Sequence, residues 1–196
     1  MARCDDSDTL NSVSRAANSR AVFLDRDGTI MESTCYVGEV EHVALVPQAA
    51  QALKRLQDAG YKLFIVTNQS GVGRGYFTRD AVESIHADLN EQLGRAGVRF
   101  DRYYVCPHHP EDNCDCRKPR PKFLLDAARE YGLDLARCFM VGDRASDIQV
   151  GDNAGVRTIL VLTGGGREAL ASDEVQPDHV ARDIDEAATW ILGQDS

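Results

Sequence analysis

The chain has 196 residues, 43% of them hydrophobic and 27% charged, which suits one soluble globular domain with a substantial core and is short for two. Its formal net charge of −9 argues against nonspecific binding to nucleic acid or to an anionic membrane, while a local basic pocket or bound cation still admits an anionic substrate. No apolar run approaches the ~20 residues that span a bilayer, and the N-terminus MARCDDSDTLNSVSRAANSR lacks the apolar stretch of a secretory signal. A cytoplasmic location is expected, and with it mostly reduced cysteines.

Residues 1–20 read as a disordered tail, rich in Ser, Asn and Asp, and 21–196 as a single domain. RAVFLDRDGT is an apolar run of strand length that ends abruptly in acidic residues and Gly28. VPQAAQALKRLQDAGY carries Ala49, Leu53 and Leu56 at helical spacing and stops at Gly60. KLFIVTNQSG is a second buried strand, and TRDAVESIHADLNEQLGRAG a helix with Thr78 as its N-cap. A third strand, FDRYYVC, runs into a Cys/His loop, and PKFLLDAAREYGL forms the next helix. CFMVGDRASDIQVGDNAGV reads as strand, acidic turn and helix, RTILVLTGGG as a strand into a Gly turn, and DIDEAATWIL as a last amphipathic helix.

This alternation predicts a doubly wound α/β fold: a mostly parallel sheet with helices on both faces. In such sheets the binding crevice lies beyond the carboxyl ends of the strands. There the sequence places Asp25 and Asp27, Thr67 and Asn68, the Cys/His loop, and Asp143 with Asp147. Clustered carboxylates suit Mg²⁺, which takes one or two of them and then binds phosphate oxygens. Asp147 is equally well explained as a residue capping the helix that follows. The loop CPHHPEDNCDC offers Cys106, Cys114 and Cys116 with either His108 or His109. Four such ligands with no position to spare describe a closed, structural zinc site spanning residues 106–116. Cys4 reads as a tail residue, Cys35 as a loop residue and Cys138 as a small core residue.

DRDGT, VTNQSG, the Lys118 of CRKP and GDRASD resemble, in order, the four motifs of haloacid dehalogenase (HAD) superfamily phosphatases, across residues 21 to about 165. The resemblance implies that Asp25 is a nucleophile forming an aspartyl-phosphate and that Asp27 is a general acid and then a base. It also implies that Thr67 and Lys118 bind the phosphoryl group, and that Mg²⁺ sits on Asp25, Asp143 and the main-chain carbonyl of Asp27. Too few residues separate the motifs for a large cap domain. TNQSGVGRGYFT, CPHHP, CDCRKP and GDRASDIQ are similar to the zinc-loop branch that includes the heptose bisphosphate phosphatases, with histidinol-phosphate phosphatases as the alternative. That similarity favours His108 over His109 as the zinc ligand. It implies substrate contacts from Ser33, Thr34, Cys35, Tyr36, Thr67, Asn68, Gln69, Ser70, Arg117, Lys118 and Arg144. GVGRGYF reads as a flexible loop beside the site. The implied partner is a small phosphorylated sugar, hydrolysed at its C7 phosphate in the supply of activated heptose for lipopolysaccharide or related glycans. A monomer is expected, since the sequence shows no extra interface element.

Overall fold

In a computed structural model, residues 19–32, 43–172 and 174–194 are described. The expected substrate contacts at Ser33, Thr34, Cys35 and Tyr36, and the tail residue Cys4, lie outside the described residues. Six strands form one sheet: β1 (Ala21–Leu24), β2 (Lys62–Asn68), β3 (Arg102–Cys106), β4 (Phe139–Gly142), β5 (Arg157–Val161) and β6 (His179–Ala181). Their order is β3-β2-β1-β4-β5-β6, and every pairing is parallel.

The apolar strand sequences follow from burial on both faces, where successive side chains point to opposite sides. Val22, Leu24, Leu63, Ile65, Phe139 and Val141 face helices α1 (Ala49–Asp58), α3 (Arg79–Gly94) and α7 (Ile184–Gly193). Ala21, Phe23, Phe64, Val66 and Met140 face α4 (Lys122–Tyr131) and α5 (Ala145–Ala154). The doubly wound fold is therefore as expected. Thr78 caps α3, its hydroxyl accepting from the Ala81 N–H at 3.2 Å, and Gly60 takes φ +89° after α1, a left-handed conformation that suits glycine.

Three short elements are additional to the expected ones: β6, α2 (Ser70–Gly73) and α6 (Gly166–Ala171). Each is too short to show a hydrophobic period. Ser19 and Arg20, read as part of the tail, join the ordered chain: Ser19 bridges to Leu133, and the Arg20 carbonyl accepts from Lys62 at 3.0 Å. Consecutive connections run outward from β1 in one direction and from β4 in the other, so the order reverses between these two neighbours. That reversal opens a crevice at their carboxyl ends.

Phe64, at the centre of this frame, stacks on Phe23 at a centroid distance of 5.3 Å and meets Tyr131 edge-on at 4.9 Å. Phe64→Ala should cost about 3–5 kcal/mol, read as a lower urea midpoint with an unchanged slope. A loss under about 1 kcal/mol would mean that the core is not packed around this ring.

Candidate active site and Cys/His cluster

Asp25 and Asp143 follow directly on β1 and β4, at the reversal point. Asp147 comes from the first turn of α5. Carboxylate oxygens of these three lie within 4.8 Å of one another, and all three residues are buried. Lys118 reaches them from the segment after the Cys/His loop and is 5% exposed. Its Nζ lies 2.5 Å from Asp25 Oδ1 and 2.7 Å from Asp147 Oδ1, and donates to the Val66 carbonyl at 2.7 Å. Burial alone would lower the Lys118 pKa, yet Asp147 and Asp25 outweigh it and hold the ammonium above its ordinary value. Burial raises Asp25 well above the usual carboxylate range, with Lys118 opposing and Asp147, Asp27 and Asp143 adding to the rise. Burial likewise pushes Asp143 up to about 6.

Three carboxylates against one ammonium leave an excess of negative charge in a dry site, the condition that a divalent cation relieves. The donor set fits: all of it is hard oxygen, and Asp143 Oδ1 is buried with no hydrogen-bond partner. The other Asp143 oxygen accepts from the Gly165 N–H at 2.7 Å. Gly28 and Gly164 make room for that carboxylate. A Cβ on either would stand 2.4 or 2.2 Å from Asp143 Oδ2, and both glycines have positive φ.

The Asp27 carboxylate lies outside this group. Its Oδ1 accepts from Arg26 Nε at 3.3 Å and Nη2 at 3.0 Å, and its Oδ2 from Gln69 Nε2 at 2.8 Å, with the Thr67 hydroxyl at 3.5 Å. Gln69 also donates to Thr67 Oγ1 at 2.8 Å. The amide of Asn68 makes two bonds with the Lys118 backbone: the Lys118 N–H donates to its Oδ1 at 3.1 Å, and its Nδ2 donates to the Lys118 carbonyl at 3.3 Å. Asn153 of α5 donates to the next carbonyl, that of Pro119, at 2.9 Å. Ser70 begins α2, half-buried. Arg117 is half-buried, with a buried Nη1 that has no hydrogen-bond partner. Exposed Arg144 borders an open groove of about 510 Å³ with Gly28, Glu32, Gly164 and Gly165.

The second cluster joins Cys106, His108, Cys114 and Cys116. Cys106 Sγ stands 3.5 Å from Cys114 Sγ and 3.6 Å from His108 Nδ1, and Cys116 Sγ stands 3.3 Å from that nitrogen. Tetrahedral zinc with bonds of about 2.0–2.3 Å sets its ligands about 3.3–3.8 Å apart, so these distances fit. His109 is not among the four residues. Its ring accepts from the Glu111 N–H at 3.3 Å and its own N–H donates to Asp112 at 2.8 Å, capping the turn Pro110–Asp112. Cys138 is buried in the sheet core, as read from the sequence.

The run GVGRGYF, read as a flexible loop, begins instead as the helical turn α2. Two of its glycines are demanded by packing: a Cβ on Gly71 would meet the Phe77 ring at 2.2 Å, and one on Gly73 the His109 main-chain nitrogen at 2.3 Å. The sequence left Asp147 open between the acidic group and helix capping, and it does both, its Oδ2 accepting from the Arg144 N–H at 3.0 Å. One feature escapes the sequence reading. Arg26 is 1% exposed and is bonded to His86 of α3. A histidine in register with the buried Val82, Leu89 and Leu93 was the available signal for the latter.

A HAD-hydrolase-like family model matches residues 115–187. A D-glycero-D-manno-heptose-1,7-bisphosphate 7-phosphatase from Chlorobaculum tepidum is 38% identical over 192 residues, covering 90% of this chain and 96% of that protein. A D-glycero-beta-D-manno-heptose-1,7-bisphosphate 7-phosphatase from Pasteurella multocida is 38% identical, with 89% and 97% covered. The D,D-heptose 1,7-bisphosphate phosphatase of B. bronchiseptica, solved with magnesium and phosphate, superposes with a TM-score of 0.85 at 35% identity, covering 90% of this chain and 99% of that one. With its parallel sheet, strand-end aspartates and these relatives in agreement, the chain belongs to the HAD-like phosphatase family.

Proposed function

We propose that the chain is a Mg²⁺-dependent phosphatase that removes the C7 phosphate of D-glycero-D-manno-heptose 1,7-bisphosphate through an aspartyl-phosphate on Asp25. The observation that carries this reading is the buried group of Asp25, Asp143 and Asp147 around Lys118 at the sheet's reversal point. The relatives named for that substrate support it, and the neighbour solved with magnesium and phosphate supports the metal.

In this reading Asp25 and Asp143, with the main-chain carbonyl of Asp27, would hold Mg²⁺. When bound, the ion would offset the repulsion between a carboxylate nucleophile and a phosphate dianion. An Asp25 oxygen attacks phosphorus as the bond to the sugar C7 oxygen breaks, and Asp27 gives that oxygen its proton. Asp27 then takes a proton from water, which attacks phosphorus and releases phosphate and free Asp25. Lys118, held by Asp147 and the Val66 carbonyl, keeps a fixed positive charge beside the transferring group. Arg117, with its unpartnered buried Nη1, and Arg144 at the groove bring planar forks that suit the second phosphate. The product would feed activated-heptose synthesis for surface glycans.

The Cys/His cluster is assigned to structural zinc. It joins the end of β3 to the segment that carries Lys118, so these four residues, holding zinc, would place that lysine. Among the described residues no helix is long and apolar enough to cross a membrane.

Two measurements test these assignments. Phosphate release with Mg²⁺ should show kcat/KM for one heptose 1,7-bisphosphate anomer at least about 100-fold above that for histidinol phosphate, some 2.7 kcal/mol of transition-state binding. It should vanish with EDTA and return with Mg²⁺. A preference for histidinol phosphate would overturn the substrate assignment and leave the acidic site standing. Cys114→Ser should lose zinc by elemental analysis and lower both thermal stability and activity. A zinc-free Cys114→Ser protein with full activity would refute the structural role.

A further inference from the structure

Arg26 is the largest fully buried side chain among the described residues, and the phosphoryl-transfer steps above give it nothing to do. Each of its three guanidinium nitrogens nevertheless has a partner. Nε and Nη2 donate to Asp27 Oδ1, and Nη1 lies 3.2 Å from His86 Nε2. Arginine has only donors, so at this contact Nε2 must be the acceptor, which requires a neutral imidazole with its proton on Nδ1. The surroundings agree, since burial and then Arg26 lower the His86 pKa to about 4. His86 is itself fixed: it is buried on α3 and packs against the Tyr103 ring at a centroid distance of 4.3 Å.

A guanidinium is planar, so the acceptor at Nη1 decides where its other edge points. We propose that His86 is a positioning residue for Asp27, acting through Arg26 to hold the carboxyl that exchanges protons with the leaving oxygen and with water. The opposite side is held by Gln69, so Asp27 is gripped from α3 through one oxygen and from the end of β2 through the other. This rests on the acid–base role proposed for Asp27. It adds a residue some sixty positions away that touches neither substrate nor metal ligands.

The test separates proton delivery from the rest of the reaction. In the first turnover, sugar phosphate needs a proton on its leaving oxygen, whereas p-nitrophenyl phosphate releases a stable phenolate without one. His86→Leu, folded and metal-loaded, should slow first-turnover release of heptose 1-phosphate by about 10- to 100-fold while KM and first-turnover release of p-nitrophenol stay within about threefold of wild type. His86→Gln, whose amide oxygen can stand in for Nε2, should restore most of the loss. If His86→Leu does not fold, His86→Met against His86→Gln gives the same comparison. Equal losses on both substrates, or a Gln variant as slow as the apolar one, would overturn the proposal. Asp27→Asn serves as control. If it leaves heptose 1-phosphate release intact, the acid–base reading itself has failed; if it abolishes release while His86→Leu changes nothing, only the positioning role has.

Discussion

The buried ammonium of Lys118 is the contact on which the rest of the site depends. Asp25 and Asp147 would repel each other strongly in a dry crevice, and each carboxylate would be costly to bury alone. Lys118 lies against both and spends its remaining donor on the Val66 carbonyl, so the carboxylates stay close without a cost that folding could not meet. Removing one member of such a buried group leaves the others uncompensated, which makes the cluster an all-or-none assembly. Its residual negative charge is then matched to a divalent ion.

Lys118 is delivered by a stretch without regular structure, and side chains from two sides hold it there. Asn68, at the end of β2, binds the Lys118 N–H and carbonyl together, and Asn153 of α5 binds the next carbonyl. Upstream, the Cys/His cluster closes the loop back on the last residue of β3. Asn68 and Gln69 were expected to contact substrate. In the structure their amides are engaged with the Lys118 backbone and with Asp27 and Thr67, so what these bonds directly do is place those groups.

Much of this was legible in the sequence because it depends on period and punctuation. Near-continuous apolar strands ending in Asp, Thr or Gly can be buried on both faces only in a parallel sheet, and their ends must then share an edge. The spacing of Cys106, Cys114 and Cys116 was equally readable, since few structures other than a metal site bring three unpaired thiols and a histidine together. The histidine choice was not. His108 and His109 are chemically identical in the chain, and only the turn at Pro110–Asp112 commits His109 to capping. Asp147 stayed open between two roles for a related reason: its capping bond is local and readable, whereas its contact with Lys118 spans a loop and a crossover.

Arg26 and His86 were illegible on different grounds. An arginine at the end of a buried strand, between two aspartates, reads as a solvated charge, and a histidine on the apolar stripe of a helix reads as an ordinary core residue. Each reading holds for the residue taken alone. Together they form a chain of donors and acceptors in which a guanidinium is buried because it is paired on one side with a carboxylate and on the other with a neutral imidazole. Pairing of this kind depends on tertiary geometry and leaves no periodic trace. The positions where local rules are broken, a charge in a strand end and a polar ring in a core stripe, are therefore the ones to inspect first when a site's support must be found beyond its motifs.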